Sequence, residues 1–215
     1  MKVSKVVLSE QIKAQLMDEI ITGTYKPGDR LVESSLSKQF DVSQSPVREA
    51  LKGLIEMGLV VQEPYKGTTV RDISSKDLHE VFSVRAALES LAAGLAAERC
   101  TSDDISVLEG MLVRMAALAE AGDEKNRIRM NNLFHDEIIR ISGHSLIAKL
   151  SKSLRFAGWS QRKGSRFSKD EIVNLVARHR KIIDSIASHN VAGAEAEMRR
   201  HIEENLPVAH EPEKT

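Results

Sequence analysis

Three patterns predict a mainly α chain built in two parts. Apolar residues recur three and four positions apart over most of the 215 residues, the spacing that lines one face of a helix. That period breaks once, at two short runs on either side of Pro64-Tyr65-Lys66-Gly67, which reads as a β-hairpin. After Leu78 no strand-like run returns. The fold class that follows is an N-terminal winged helix-turn-helix (three helices plus a β-hairpin wing) over residues 1–73. A C-terminal antiparallel all-α bundle of about six helices follows over residues 74–215.

Leu8, Ile12, Leu16 and Ile20 give the first helix its apolar stripe, and Gly23 with the Pro27-Gly28 turn ends it. A second, short helix spans about Glu33 to Phe40, with Leu36 and Phe40 on one face. Asp41-Val42-Ser43 has length only for a tight turn. A third helix starts at Ser43 or Ser45, either of which can cap it, and holds Pro46 in its first turn, where proline is tolerated. Val47, Leu51 and Leu54 are its inward face, and Gly58 stops it. A tight turn lets such a helix project, so that its first residues reach base edges in the major groove. Leu59–Glu63 and Thr68–Arg71 then read as two strands with Lys66 and Gly67 at the tip, where a cation and an unhindered backbone can approach a phosphate. The competing reading is a three-helix module that binds protein.

Charge tempers the nucleic-acid reading. The chain has 31 basic and 31 acidic residues, and residues 1–73 hold ten of each. A DNA-facing surface must come from placement, not bulk charge. A single cysteine, Cys100, excludes a disulfide framework and a thiolate metal cluster and fits a reducing, cytoplasmic setting. The absence of an apolar run of about 18 residues predicts no membrane span, and the N-terminus predicts no signal peptide.

Beyond a polar joint at Ser74-Ser75-Lys76-Asp77, helices are expected at about 76–98, 102–121, 124–142, 144–163, 169–189 and 191–206. Asp123, Gly143, Gly164 and residues 190–193 mark the breaks, and Thr101-Ser102-Asp103-Asp104 is a strong helix start. Three histidines fall on apolar faces. His135 lies seven after Ile128 and three before Ile138, with Asn131 one turn earlier. His179 and His201 sit 22 residues apart around a turn near Asn190, so a helical hairpin returns them to one height. Three inward imidazoles with an amide oxygen suit a divalent metal such as Zn or Ni, and also Fe or Cu. The alternative is three separate hydrogen-bonded core histidines. Arg85 either clamps a carboxylate bidentately or pairs with Glu89 one turn on. A metal with an open position also raises a metal-dependent hydrolase, but no further inward acid or base is evident, and residues 1–73 would go unexplained. A metal sensor is the third option.

The run Gly23…Pro27-Gly28-Asp29-Arg30-Leu31…Phe40-Asp41-Val42-Ser43-Gln44-Ser45-Pro46-Val47-Arg48-Glu49-Ala50-Leu51…Gly58-Leu59-Val60 resembles the GntR family of bacterial regulators. Val84-Arg85-Ala86-Ala87-Leu88-Glu89, Asn131-x-x-Phe134-His135, Arg178-His179-Arg180 and Arg199-Arg200-His201 resemble the FCD ligand-binding domain of its FadR-like subfamily. The resemblance implies a non-enzymatic, ligand-responsive transcription factor, in most relatives a repressor released by a metabolite. It implies DNA contacts from Ser34, Ser43, Gln44, Ser45, Arg48, Lys66 and Gly67, a divalent metal on Asn131, His135, His179 and His201, and a small carboxylate effector held by Arg85. Asn131 stands where an acid is usual, which implies weaker metal binding or none. Gln44 and Ser34 stand where arginine is frequent, and glutamine pairs with adenine where arginine prefers guanine. One recognition helix reads too few bases for specificity, so a homodimer on a pseudo-palindromic operator is expected.

Overall fold

The computed structural model describes residues 5–63, 67–72, 74–155 and 168–204. These form two compact units, one ending at Ser74 and the other starting at Ser75.

The first unit contains α1 (Lys5–Ile21), α2 (Glu33–Gln39), α3 (Gln44–Glu56), β1 (Val60–Glu63) and β2 (Gly67–Val70). The apolar stripes meet as expected: Ile12, Leu16, Ile20, Leu36, Val47, Leu51 and Leu54 pack in one core with Leu31, Leu59, Val60 and Val70. The strands pair antiparallel from Val60 opposite Val70 to Glu63 opposite Gly67. The chain after Pro27 does more than turn. Gly28 N–H donates to Val70 O at 2.9 Å, Val70 N–H to Asp29 O at 2.9 Å and Leu31 N–H to Thr68 O at 2.8 Å. This segment lies along β2 as a third, partial strand and seats Leu31 in the core. Such pairing links positions about forty residues apart and leaves no trace in local periodicity.

The second unit contains α4 (Ser75–Arg99), α5 (Ser102–Glu120), α6 (Glu124–Ser142), α7 (Ser145–Arg155), α8 (Lys169–Ala187) and α9 (Val191–Glu203). The expected helices are all there: α6 has both expected ends, and the other described ends differ by at most three residues, which is the usual scatter of helix termini. The end of the fourth bundle helix, expected at 163, lies outside the described residues. Local chemistry starts these helices. Thr101 and Asp104 form a capping box, as do Ser168 and Glu171, and Asn190 accepts from Gly193 N–H at the head of α9. Gly143 closes α6 at φ 65°, where a side chain would also meet the Arg99 guanidinium 2.8 Å away. The most extensive helix contact is α4 with α9. Ala92, Ala93, Ala96 and Ala97 are fully buried, and a Cβ on Gly94 would lie 2.6 Å from Glu195. Small residues let these backbones approach closely, and α4 thereby forms one wall of the polar cluster described next. No helix among the described residues is long and apolar enough to cross a membrane.

Candidate nucleic-acid interface and ligand site

Helix α3 presents its two faces as a reader of DNA requires. Pro46, Val47, Ala50, Leu51 and Leu54 are buried, whereas Gln44 and Arg48 are exposed, Ser45 is half-buried, and Ser43 and Ser34 are exposed just before α3 and on α2. Ser43 holds the N-cap position with an extended backbone, but its hydroxyl makes no capping bond. Gly67 is exposed at φ 81° at the start of β2, with Arg30 nearby. Lys66 lies outside the described residues. Arg48 is bound bidentately by Glu33 of α2, with Nε 3.2 Å from both carboxylate oxygens and Nη2 2.9 Å from Oε2. The sequence reading contained no such partner for Arg48.

In the second unit the three histidines converge. His135 on α6, His179 on α8 and His201 on α9 are all buried, and each offers a ligand atom within 4.8 Å of the others. Ring centroids of His179 and His201 are 4.4 Å apart across the α8–α9 hairpin, and His135 is 5.2 Å from His201. Burial, reinforced by the other imidazoles, pushes the His179 pKa down to about 3 and that of His201 well below its ordinary value. Both are neutral at pH 7, as metal ligands must be.

Hydrogen bonds fix the ring orientations. His179 Nδ1 lies 2.7 Å from the Leu175 carbonyl, which can only accept, so Nδ1 carries the proton and Nε2 presents its lone pair. Nε2 lies 3.0 Å from Asn131 Oδ1. Two acceptors in contact repel unless a cation sits between them or the amide turns to present its NH2. His135 Nδ1 lies 2.7 Å from Glu89 Oε2, and a carboxylate behind an imidazole is the usual support of a metal-bound histidine. The donors therefore fit a divalent ion. Arg85 is buried too; its Nε donates to Glu89 Oε1 at 2.9 Å, and its guanidinium lies 5.2 Å from the centre of the Phe82 ring.

The Arg85–Glu89 pair is one of the two expected arrangements, but Glu89 is also a further inward acid, which the sequence analysis does not anticipate. The signal was present: Phe82, Arg85, Ala86, Glu89 and Ala93 form one stripe at helical spacing, and all are buried. Arg127 was missed likewise. It precedes Asn131 by one turn and is 2% exposed.

A winged helix-turn-helix followed in the chain by a helical domain with a buried polar cluster defines a ligand-responsive DNA-binding regulator. Comparison with known families agrees: residues 8–70 match the bacterial regulatory proteins of the gntR family and residues 80–204 match the FCD domain. The chain belongs to the GntR family of transcriptional regulators, with an FCD ligand-binding domain. The transcriptional regulator McbR of Escherichia coli (strain K12) is 31% identical over 71% of this chain and 69% of its own. LutR of Bacillus subtilis (strain 168) is 30% identical over 85% of this chain and 92% of its own. Among solved structures, a putative GntR regulator from Rhodococcus sp. RHA1 superposes with a TM-score of 0.76 at 26% identity, covering 91% of this chain and 94% of that one. E. coli McbR/YncC has the same fold, with a TM-score of 0.85 at 24% identity over 95% and 96%. These are families of regulators, so the hydrolase alternative has no support from them.

Proposed function

We propose that this protein is a repressor whose helical domain, residues 74–215, binds a small organic acid through a divalent metal, with Zn or Ni the best matched to the donors. Asn131, His135, His179 and His201 would hold the ion, and the ion would supply a positive anchor for a carboxylate. The observation that carries this reading is the convergence of three buried imidazoles within 4.8 Å. Arg85 is positioned as a second anchor: Nε is committed to Glu89, and its η nitrogens remain as donors to an anion. Among similar proteins, the gluconate operon repressor of Bacillus licheniformis, 26% identical over 67% of this chain and 59% of its own, is named for the operon of an organic acid.

Residues 1–73 bind a pseudo-palindromic operator as part of a homodimer in the cytoplasm. Gln44, Ser45 and Arg48 face base edges, Ser34 and Ser43 face the backbone, and Lys66 with Gly67 form the wing contact. Effector binding shifts operator affinity only as far as it prefers one arrangement of the dimer over another, typically about 1–3 kcal/mol.

Elemental analysis of untagged protein, purified without chelator beside His179→Ala, tests the metal reading. Near-stoichiometric metal in the parent and its loss in the variant are expected. No metal in either would sink the ion-bridged site and leave direct binding by Arg85 and the histidines. A metal sensor is the second reading, since the same donors carry it: operator affinity would then follow metal titration with no organic acid present.

A further inference from the structure

Arg30, between α1 and α2, is a cation with no acid of its own. It is exposed, and its backbone pairs with Thr69 of β2 in an antiparallel bridge. Leu31 and Val70 are buried. Side chains alternate along an extended chain, so Arg30 and Thr69 stand on the outer face of the wing. There the Arg30 guanidinium reaches toward the start of β2: Nη2 lies 3.5 Å from where a Cβ on Gly67 would stand. Three residues on, Glu33 holds Arg48 of α3 at 2.9 Å. Residues 30–33 therefore join the wing to the recognition helix, and Arg30 lies in the corner between the two elements that reach DNA.

The acids nearest to it are engaged elsewhere. Asp29 turns back to accept from Lys26 N–H at 2.8 Å. Glu33 is taken by Arg48, and Glu63, opposite Gly67 in the register of the wing, is not paired with Arg30. Among the described residues none makes a hydrogen bond or ion pair with the Arg30 side chain. Arg48 and Glu33 together bring no net charge to DNA, whereas Arg30 brings its whole charge. It thus restores to this surface the cation that the Glu33–Arg48 pair cancels. A guanidinium also fits a phosphate through two parallel N–H groups, and Gly67 has no side chain to cover it.

We propose that Arg30 is a phosphate anchor of the DNA interface: its guanidinium holds a backbone phosphate between the stretch read by α3 and the stretch touched by the wing, and does so on any sequence. The inference rests on the placement of that interface at α3 and the wing.

The test is the affinity of the full chain for short fluorescein-labelled duplexes, by anisotropy, from about 50 to 200 mM salt. Two duplexes are used, an operator selected by the protein from a randomised library and a duplex of mixed sequence. Arg30→Gln is expected to weaken both by the same factor, about threefold or more. It is also expected to make the slope of log affinity against log salt shallower by about 0.9 for each Arg30 in the complex. Arg30→Lys loses the paired N–H groups but is expected to keep the wild-type slope, because it keeps the charge. Lys125→Gln, which removes the same charge from an exposed position on α6, is expected to change neither affinity nor slope. Circular dichroism checks that each variant is folded. The anchor is overturned if Arg30→Gln keeps the wild-type affinity and slope, if it weakens the operator alone, or if Arg30→Lys flattens the slope as much as glutamine does. Arg48→Ala separates this failure from that of the interface. If it weakens operator binding and Arg30→Gln does not, the anchor alone falls; if neither variant weakens it, the placement of the interface falls too.

Discussion

Arg48 meets an acid from its own fold at the surface where DNA would lie. Glu33 holds its guanidinium by two nitrogens, and the hydrogen bonds raise the affinity of Arg48 for its proton. The pair is exposed, so it contributes little to stability. Its effect is on binding, because a phosphate or base must displace Glu33 or accept an anion beside it. Glu33→Gln is expected to tighten operator binding by about threefold to tenfold in a fluorescence anisotropy titration, with unchanged helix content. Weaker binding would mean that Glu33 aims Arg48 and does not restrain it. His179 makes a second residue-scale prediction. Its folded pKa of about 3 lies below the ordinary 6.5, so protons bind the unfolded chain first. Stability is thus full above pH 6.5 and falls as pH drops from there toward about 3. Melting temperatures at pH 8, 6.5 and 5 are expected to fall more steeply for the wild type than for His179→Gln; parallel curves would exclude a buried neutral His179.

The helices share one way of stopping. At the ends of α1, α2, α3, α5 and α8, a left-handed residue is followed by an N–H that reaches back five residues: Thr24 to Glu19, Val42 to Ser37, Leu59 to Leu54, Asp123 to Leu118 and Asn190 to Ser185. Gly23, Gly58 and Gly122 occupy the left-handed position without strain, but Asp41 at φ 51° and His189 at φ 55° do so with a side chain. An L-residue there costs roughly 1–2 kcal/mol, while glycine gives back about 0.4–1 kcal/mol through the unfolded chain. Relief wins, so Asp41→Gly is expected to add about 0.5 kcal/mol in urea unfolding; destabilisation would show that the Asp41 side chain has a compensating contact. Glycine stops are also what made the elements legible. Gly23, Gly58 and Gly143 could be read directly, as could the Thr101 cap, because each acts on its neighbours in sequence. The partial strand at 28–31 was not legible, since its partner is distant in the chain. The histidines were found because all three lie on apolar stripes and a hairpin returns two of them to one level. Glu89 and Arg127 were not, because charged residues on a helix are usually solvated and only the crowding of small residues on α4 and the stripe through Asn131 put them inside.

At the scale of the molecule, the equal numbers of acids and bases bear on how the protein holds DNA. If a dimer meets DNA through Arg48 and Lys66 of each subunit, as proposed above, it displaces few counterions. The slope of log affinity against log salt is expected to be about −4 or shallower; a much steeper slope would require cations that the placement of charge in residues 1–73 does not suggest.

The broad seam between α4 and α9 has a consequence for how the protein is made. The winged helix closes its core from residues within 12–70, so every piece is present early in translation. The helical unit is different, because its first helix waits for its last, and His201 arrives on that last helix. On the ribosome, the half that grips DNA can be finished while the half that regulates it still lacks the helix with which α4 makes its broadest contact. A nascent chain stalled before residue 191 is therefore a DNA-binding fold with no working sensor, and loss of α9 by truncation leaves the same product.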